Sequence, residues 1–238
     1  MNDVAELDYL RTVFLGRVAH ELRGPASTIQ GVMQALEAAL GDAAESHAHL
    51  FAMARRGVGR IVRSADRLEQ TGQLGRGSVA FNQNRYDLIE LVRDAVVAAQ
   101  ALEGRAKIAL ELNVPPNPQL CTVDARWMGI VLYELTSNAL RHARERVHVF
   151  VEPDTHDPAR LAVAFVDDNR TSRAFAPMRF RETTDGPGLG LALAIVQDVM
   201  RAHGGELRIE QGIQNGEAYG ARVSVFIPRI AQPLNEPA

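Results

Sequence analysis

The sequence predicts two domains of different class: a helical hairpin that needs a second copy to complete a four-helix bundle, then an α+β domain arranged as a two-layer α/β sandwich. Three observations carry this. Apolar residues recur at three-to-four spacing through residues 10–40 and again through 46–74, the period of an amphipathic helix. Residues 75–78, Gly-Arg-Gly-Ser, interrupt that pattern. Beyond them, short β-branched runs alternate with helical stretches, as in a mixed sheet packed on helices.

The apolar stripe of the first helix comprises Leu10, Phe14, Val18, Leu22, Ala26, Ile29, Met33, Leu36 and Leu40, and Gly41 and Asp42 break it. The return helix carries Leu50, Met53, Val58, Ile61, Val62, Ala65 and Leu68. Two helices cannot enclose a core, so a stripe of this length predicts a homodimer. The hairpin domain is expected over residues 1–76, a linker over 77–82, the second domain over 83–230 and a flexible tail over 231–238. The roughly ten residues before the first helical pattern leave no room for an input domain, so the signal is expected from a separate sensory protein.

In the second domain Asp87 is placed to cap a helix ending near Leu102, and Asp124 to cap one running through Ala143. Residues 107–113 alternate like a strand, and further strands are expected at 147–152 and 161–167. A glycine-rich segment at 186–190 opens a helix that ends at His203-Gly204-Gly205, followed by strands at 206–210 and 221–227.

Composition narrows the function classes. With 46% hydrophobic and 23% charged residues the 238-residue chain is ordinary globular protein. A net charge of -3 without a basic run gives no electrostatic ground for a nucleic-acid or membrane-surface partner. No stretch reaches the roughly 18 apolar residues of a transmembrane helix, and no secretory signal opens the chain, so the expectation is a cytoplasmic protein without direct membrane insertion. The single cysteine, Cys121, lies in the extended run Leu-Cys-Thr-Val and reads as a reduced, buried small hydrophobe.

His20 lies about 200 degrees around the helix from Val18 and Leu22, at about 100 degrees per residue, and is expected to face solvent. Gly16 and Gly24 stand one turn away on either side, each costing about 1 kcal/mol relative to Ala in a helix interior. Two such costs around one imidazole suggest a need for space, as a nucleophile meeting a phosphate and then a second protein would have. An exposed histidine on a bundle surface is the plain alternative.

The whole string Phe14-Leu-Gly-Arg-Val-Ala-His20-Glu21-Leu22-Arg23-Gly24-Pro25 resembles the H-box of bacterial two-component sensor histidine kinases. The resemblance implies that His20 accepts the phosphoryl group, that Glu21 acts on the imidazole proton as general base or orienter, and that Pro25 bends the helix beyond the site. Many members of the family have Thr or Asn where this chain has Gly24, a side chain thought to orient water for dephosphorylating the regulator; glycine implies weak phosphatase activity.

Glu134 and Asn138 are four apart, therefore on one helix face, in the string Glu134-Leu-Thr-Ser-Asn138-Ala-Leu-Arg141-His142-Ala143. A polar helix face is a sufficient explanation taken alone. The string as a whole is similar to the N-box of the GHKL-type ATP-binding domain, which implies Asn138 as a Mg²⁺ ligand and Arg141 and His142 near phosphate or ribose. Gly186-Pro-Gly188-Leu189-Gly190, opening a helix, resembles the G2 box, whose amides approach phosphates at a helix N-terminus. Phe175-Ala-Pro177-Met178 resembles the F-box. The G1 box departs from the family pattern Asp-x-Gly-x-Gly. Asp168, implied to bond the adenine amine, is kept, but Arg170 and Ser172 replace the glycines, and only Arg173 and Ala174 separate Ser172 from Phe175, implying a short ATP lid.

Over about residues 10–228 the resemblance thus implies a histidine autokinase that uses ATP and Mg²⁺ and passes its phosphate to a response-regulator receiver domain. Two alternatives stand beside it: an ATP-independent phosphorelay carrier with a relic ATPase domain, favoured by the lost glycines, and a dimeric pseudokinase that only binds a regulator.

Overall fold

The computed structural model describes residues 2–75, 79–103, 107–169, 190–214 and 217–230; over 2–12 and 211–219 the description is of the backbone. These residues form two compact units that change over between Val79 and Ala80.

The first unit is the hairpin. Helix α1 (Asn2–Leu40) begins earlier than the apolar pattern predicts. Nothing in the opening residues breaks a helix. The helix continues through Pro25, where Thr28 Oγ1 donates back to the Gly24 carbonyl at 3.1 Å. A turn at Gly41 and the short α2 (Ala43–Ser46) lead into α3 (Ala48–Gly75). Arg23 pairing with Asp66, and Glu37 with Arg55, fix α1 and α3 as antiparallel. Between them Ala26, Met33 and Val58 are buried together with Val62 packed against them, and Leu15, Ala19, Ala65 and Leu68 are buried further along. Much of the apolar stripe lies outside this seam. Phe14, Ile29, Leu36 and Leu40 on α1, and Leu50, Met53 and Ile61 on α3, stay exposed within the single chain.

The second unit is a two-layer sandwich. A small antiparallel ribbon pairs β1 (Asn84–Asp87) with β3 (Leu120–Val123). The main sheet contains β2 (Ala109–Asn113), β4 (Arg146–Pro153), β5 (Arg160–Asp167), β6 (Glu206–Gln214) and β7 (Glu217–Pro228), in the order β2-β4-β5-β7-β6. Among the described residues the β2–β4 pair is parallel and the other pairs of this sheet are antiparallel. Helices α4 (Leu88–Glu103), α5 (Ala125–His142) and α6 (Leu191–Ala202) supply the second layer. The core joins Leu88 and Val92 of α4, Met128, Leu132 and Leu135 of α5, and Ile195 and Met200 of α6 to Val149, Phe165, Val225 and Ile227 of the sheet.

Short polar contacts set the element ends. Asp87 accepts from the Ile89 amide at 3.1 Å and from the Gln119 amide at 2.9 Å, capping α4 and holding the chain that leads into β3. Asp124 caps α5 through the Trp127 amide at 3.1 Å, and its other oxygen accepts from the Asn82 amide at 2.8 Å. The Asp124 amide donates to His203 Nε2 at 3.0 Å, so Nδ1 carries the ring proton and donates to the Val199 carbonyl at 2.8 Å. Phe81 lies against both Trp127 and His203, with ring centroids 5.8 and 5.1 Å apart.

Candidate functional site

On α1, His20 and Glu21 are both exposed, while Ala19 and Ala26 face the α3 seam. A Cβ built at Gly16 or at Gly24 would meet nothing within 4 Å, so no contact among the described residues requires the glycines. Bare backbone flanks the imidazole. Below it Arg23 reaches across the hairpin, donating to Asp66 at 2.7 and 3.1 Å and to Glu69, and the hydrogen bonds of these carboxylates push its pKa up.

In the second unit the expected N-box face lies on α5. Val131, Leu132, Leu135 and Ala139 of the same helix are buried in the core. Glu134 is buried; Asn138, Arg141 and His142 are half-buried toward the C-terminal end. Thr136 Oγ1 donates to the Leu132 carbonyl at 2.7 Å, Ser137 Oγ to Glu103 at 2.5 Å and Arg141 Nε to the Ser137 carbonyl at 3.3 Å, so the polar side of the helix is tied down around Asn138. Among the described residues no group of three or more His, Cys, Asp and Glu could hold a metal ion. A divalent ion here would depend on the Asn138 oxygen together with phosphate oxygens and waters, a donor set that suits Mg²⁺.

The end of β5 departs from the sequence expectation. Asp168 Oδ1 accepts from the Arg144 amide at 2.7 Å and the Glu145 amide at 3.2 Å, and Oδ2 from the Glu145 amide at 3.0 Å and the Arg146 amide at 3.2 Å. A carboxylate offers about four lone-pair positions, and three amides of the turn between α5 and β4 reach both of its oxygens, the Glu145 amide shared between them. The residue implied to read adenine is thus held by three of the protein's own backbone amides. Beside it, Asp167 Oδ1 accepts from the Asn169 amide at 2.9 Å, and the Asn169 carbonyl accepts from the Gly220 amide at 2.8 Å. Gly220 has φ of 65°, and a Cβ there would stand 1.7 Å from the Asp167 carbonyl oxygen. The motifs did not point to Gly220 or to the 144–146 amides. A lone glycine inside a strand run was the available signal for the first, since it marks close backbone approach; the second is a matter of tertiary hydrogen bonding.

Of the G2 glycines, Gly190 is described: it has φ of 63° and immediately precedes α6, the turn that the sequence anticipates. Gly186, Gly188 and Leu189, the F-box string, the replaced G1 positions Arg170 and Ser172, and the expected short lid lie outside the described residues.

A mixed sheet backed by three helices, with a polar face on the central one and a glycine turn opening the last, is the arrangement that the GHKL resemblance implies. The family of histidine kinase-, DNA gyrase B-, and HSP90-like ATPases matches residues 123–231. Relatives extend the likeness through the hairpin. Sensor protein DivL of Caulobacter vibrioides is 27% identical over 239 residues, covering 97% of this chain and 30% of that protein. Sensor histidine kinase WalK of Bacillus subtilis is 24% identical over 220 residues, covering 86% and 36%. Sensor histidine kinase ZraS of Klebsiella oxytoca is 29% identical over 231 residues, covering 92% and 46%. The chain therefore spans less than half the length of these curated relatives. Full-length ShkA, solved in complex with AMPPNP, shares the fold with a TM-score of 0.66 at 20% identity, over 93% of this chain and 47% of that one. The mycobacterial sensor histidine kinase MprB does so with a TM-score of 0.53 at 23% identity, over 62% and 97%. The chain is thus similar over nearly its whole length to the cores of bacterial sensor histidine kinases, a helical hairpin followed by a domain that matches the ATPase family. No described helix is long and apolar enough to cross a membrane.

Proposed function

We propose that the chain works as a histidine autokinase in two-component signalling, with His20 as the residue that is phosphorylated. The observation that carries this is the exposed imidazole on α1 with unobstructed backbone at Gly16 and Gly24 on either side. A ring nitrogen of His20 attacks the γ-phosphorus of ATP, the bond to the β-bridging oxygen breaks, and ADP leaves. Glu21 takes or orients the imidazole proton. In the second transfer the P–N bond breaks as a receiver-domain aspartate forms its P–O bond. Asn138 and Glu134 would hold the Mg²⁺ side of the triphosphate, Arg141 and His142 its phosphate or ribose, and the segment containing Gly186, Gly188, Leu189 and Gly190 would offer amides to the phosphates. What the protein supplies is positioning and charge neutralisation.

The exposed apolar residues of α1 and α3 support a homodimer, since an uncovered stripe of this length is costly in water and a second hairpin would bury it. A receiver domain as phosphate acceptor and a weak phosphatase activity owing to Gly24 complete the reading. The domain limits 1–76 and 83–230, with a linker at 77–82 and a tail at 231–238, belong to it as well.

A second reading, the ATP-independent phosphorelay carrier, is favoured by the engaged carboxylate of Asp168. Incubation with γ-labelled ATP and Mg²⁺ separates the two. Acid-labile label that is abolished by His20→Gln and by Asn138→Ala supports the kinase. No label from ATP, with label reaching His20 from a phosphorylated receiver domain, leaves the carrier.

A further inference from the structure

We infer that Asp168 is a clasp for the turn between α5 and β4 and not a reader of the nucleotide base, so that whatever nucleotide this domain binds is held by its phosphates, with little choice between adenine and guanine. The inference rests on the reading of this unit as a nucleotide site, and it departs from what the G1 resemblance implies for that residue.

The geometry is specific. Residues 143–145 join the end of α5 to the start of β4 without a regular element; the Ala143 amide still donates to the Ala139 carbonyl, and the amides beyond it have left the helix. Left alone, the three successive amides of 144–146 would require water or a side-chain acceptor. Asp168 supplies one, with contacts between 2.7 and 3.2 Å from both carboxylate oxygens. Successive amides converging on one carboxylate form an anion nest, and here the anion is covalently part of the neighbouring strand. The same contacts hold β5 to the connection leading into β4, just beyond the Val147–Asp167 register pair.

Selectivity follows from what is left over. To accept the exocyclic amine of adenine, an Asp168 oxygen would have to compete with the backbone amides already on it, with little net gain. Guanine carries a carbonyl at that position, which a carboxylate normally repels; a carboxylate already neutralised by three amides and turned toward them opposes it less. Phosphate-directed groups, namely Asn138 through the ion and the Gly190 turn before α6, do not distinguish bases.

The test uses the full chain with Mg²⁺ and fluorescent ATP and GTP analogues, together with hydrogen exchange of a peptide covering 143–147. Asp168→Asn keeps the size but turns one oxygen into a donor facing amide donors. The expected result is that wild type binds the two nucleotides within about threefold of each other. In Asp168→Asn that ratio should be unchanged, while the 144–146 amides exchange roughly tenfold faster and Tm falls by about 5 °C. Wild-type preference for ATP of about thirtyfold or more, lost in Asp168→Asn with exchange and Tm unaltered, would overturn the inference. Should neither nucleotide bind the wild type, the kinase reading fails on that ground alone, and the exchange rates of 144–146 in the two proteins then decide the clasp.

Discussion

Gly220 is the position where a single methyl group should do most damage. Its φ of 65° lies in the left-handed region, which costs an alanine roughly 1–2 kcal/mol. Its Cβ would stand 1.7 Å from the Asp167 carbonyl oxygen and 2.8 Å from the carbonyl carbon, backbone atoms of β5 that no rotamer change can move. Relief requires β7 and the end of β5 to separate, which disrupts the 2.8 Å bond from the Gly220 amide to the Asn169 carbonyl and costs about 1 kcal/mol more. With the strain of the shifted strands, Gly220→Ala should lose about 3–5 kcal/mol, a large part of the stability of an ordinary domain. In urea unfolding of the full chain this would appear as a midpoint shift for the second unit, and in calorimetry as a Tm lower by about 10 °C. Gly129→Ala is the matched control. It lies within α5, a Cβ there meets nothing within 4 Å, and the substitution should raise stability by about 0.5–1 kcal/mol. A Gly220→Ala protein within 1 kcal/mol of wild type would refute the argument, because it would mean that β5 and β7 do not approach as described.

Gly24→Ala should stabilise α1 by up to about 1 kcal/mol, since its Cβ meets nothing in this chain, yet slow phosphorylation of His20 if partners need bare backbone there; thermal melting and labelled transfer read the two effects separately. Cys121, fully buried, has its thiol pKa pushed up from 9.0 to about 12 by burial and then by Asp87. The folded protein therefore keeps its proton where the unfolded chain loses it, so this contribution is intact below pH 9 and is lost as pH rises from 9 toward 12, on the order of 1 kcal/mol per pH unit. Comparing stability of wild type and Cys121→Ala between pH 8 and about 10.5 should show the steeper fall in wild type, and a native thiol reagent should leave Cys121 unmodified. The Arg23 pair with Asp66 is about two-fifths exposed on both sides, so an Arg23→Ala/Asp66→Ala cycle should give a coupling of no more than about 1 kcal/mol, shrinking in 1 M salt.

The elements legible in the sequence are those whose burial is one-sided. The α1–α3 hairpin, the caps at Asp87 and Asp124 and the strands β4 and β5 announce themselves by apolar period or by a capping residue, and they fall close to where those signals place them. The strand β1 does not, because Asn84, Arg85 and Tyr86 are all exposed and pair only with the short β3. The strands β6 and β7 run longer than their apolar stretches because hairpin pairing, with a register shift between Gln211 and Ile213, carries the ladder beyond the core. At the site the helix face of Glu134 and Asn138 is legible from spacing alone, and the turn at Gly190 from its glycine.

Asp168 shows where such reading stops. A motif specifies which side chain stands at a position, whereas a carboxylate's function depends on which donors reach it. Here the chain leaves α5 at His142 and enters β4 at Arg146, and the brief connection points three amides at the end of β5. That connection contains neither glycine nor proline and gives no local sign of its partner 22–24 residues further on. Losing the glycines at 170 and 172 and engaging Asp168 internally are consistent with one another, since a strand end that no longer lets a nucleotide base approach has no use for a free carboxylate. Retention of the aspartate therefore says little about adenine: the fold of the turn keeps it, whether or not ATP is bound.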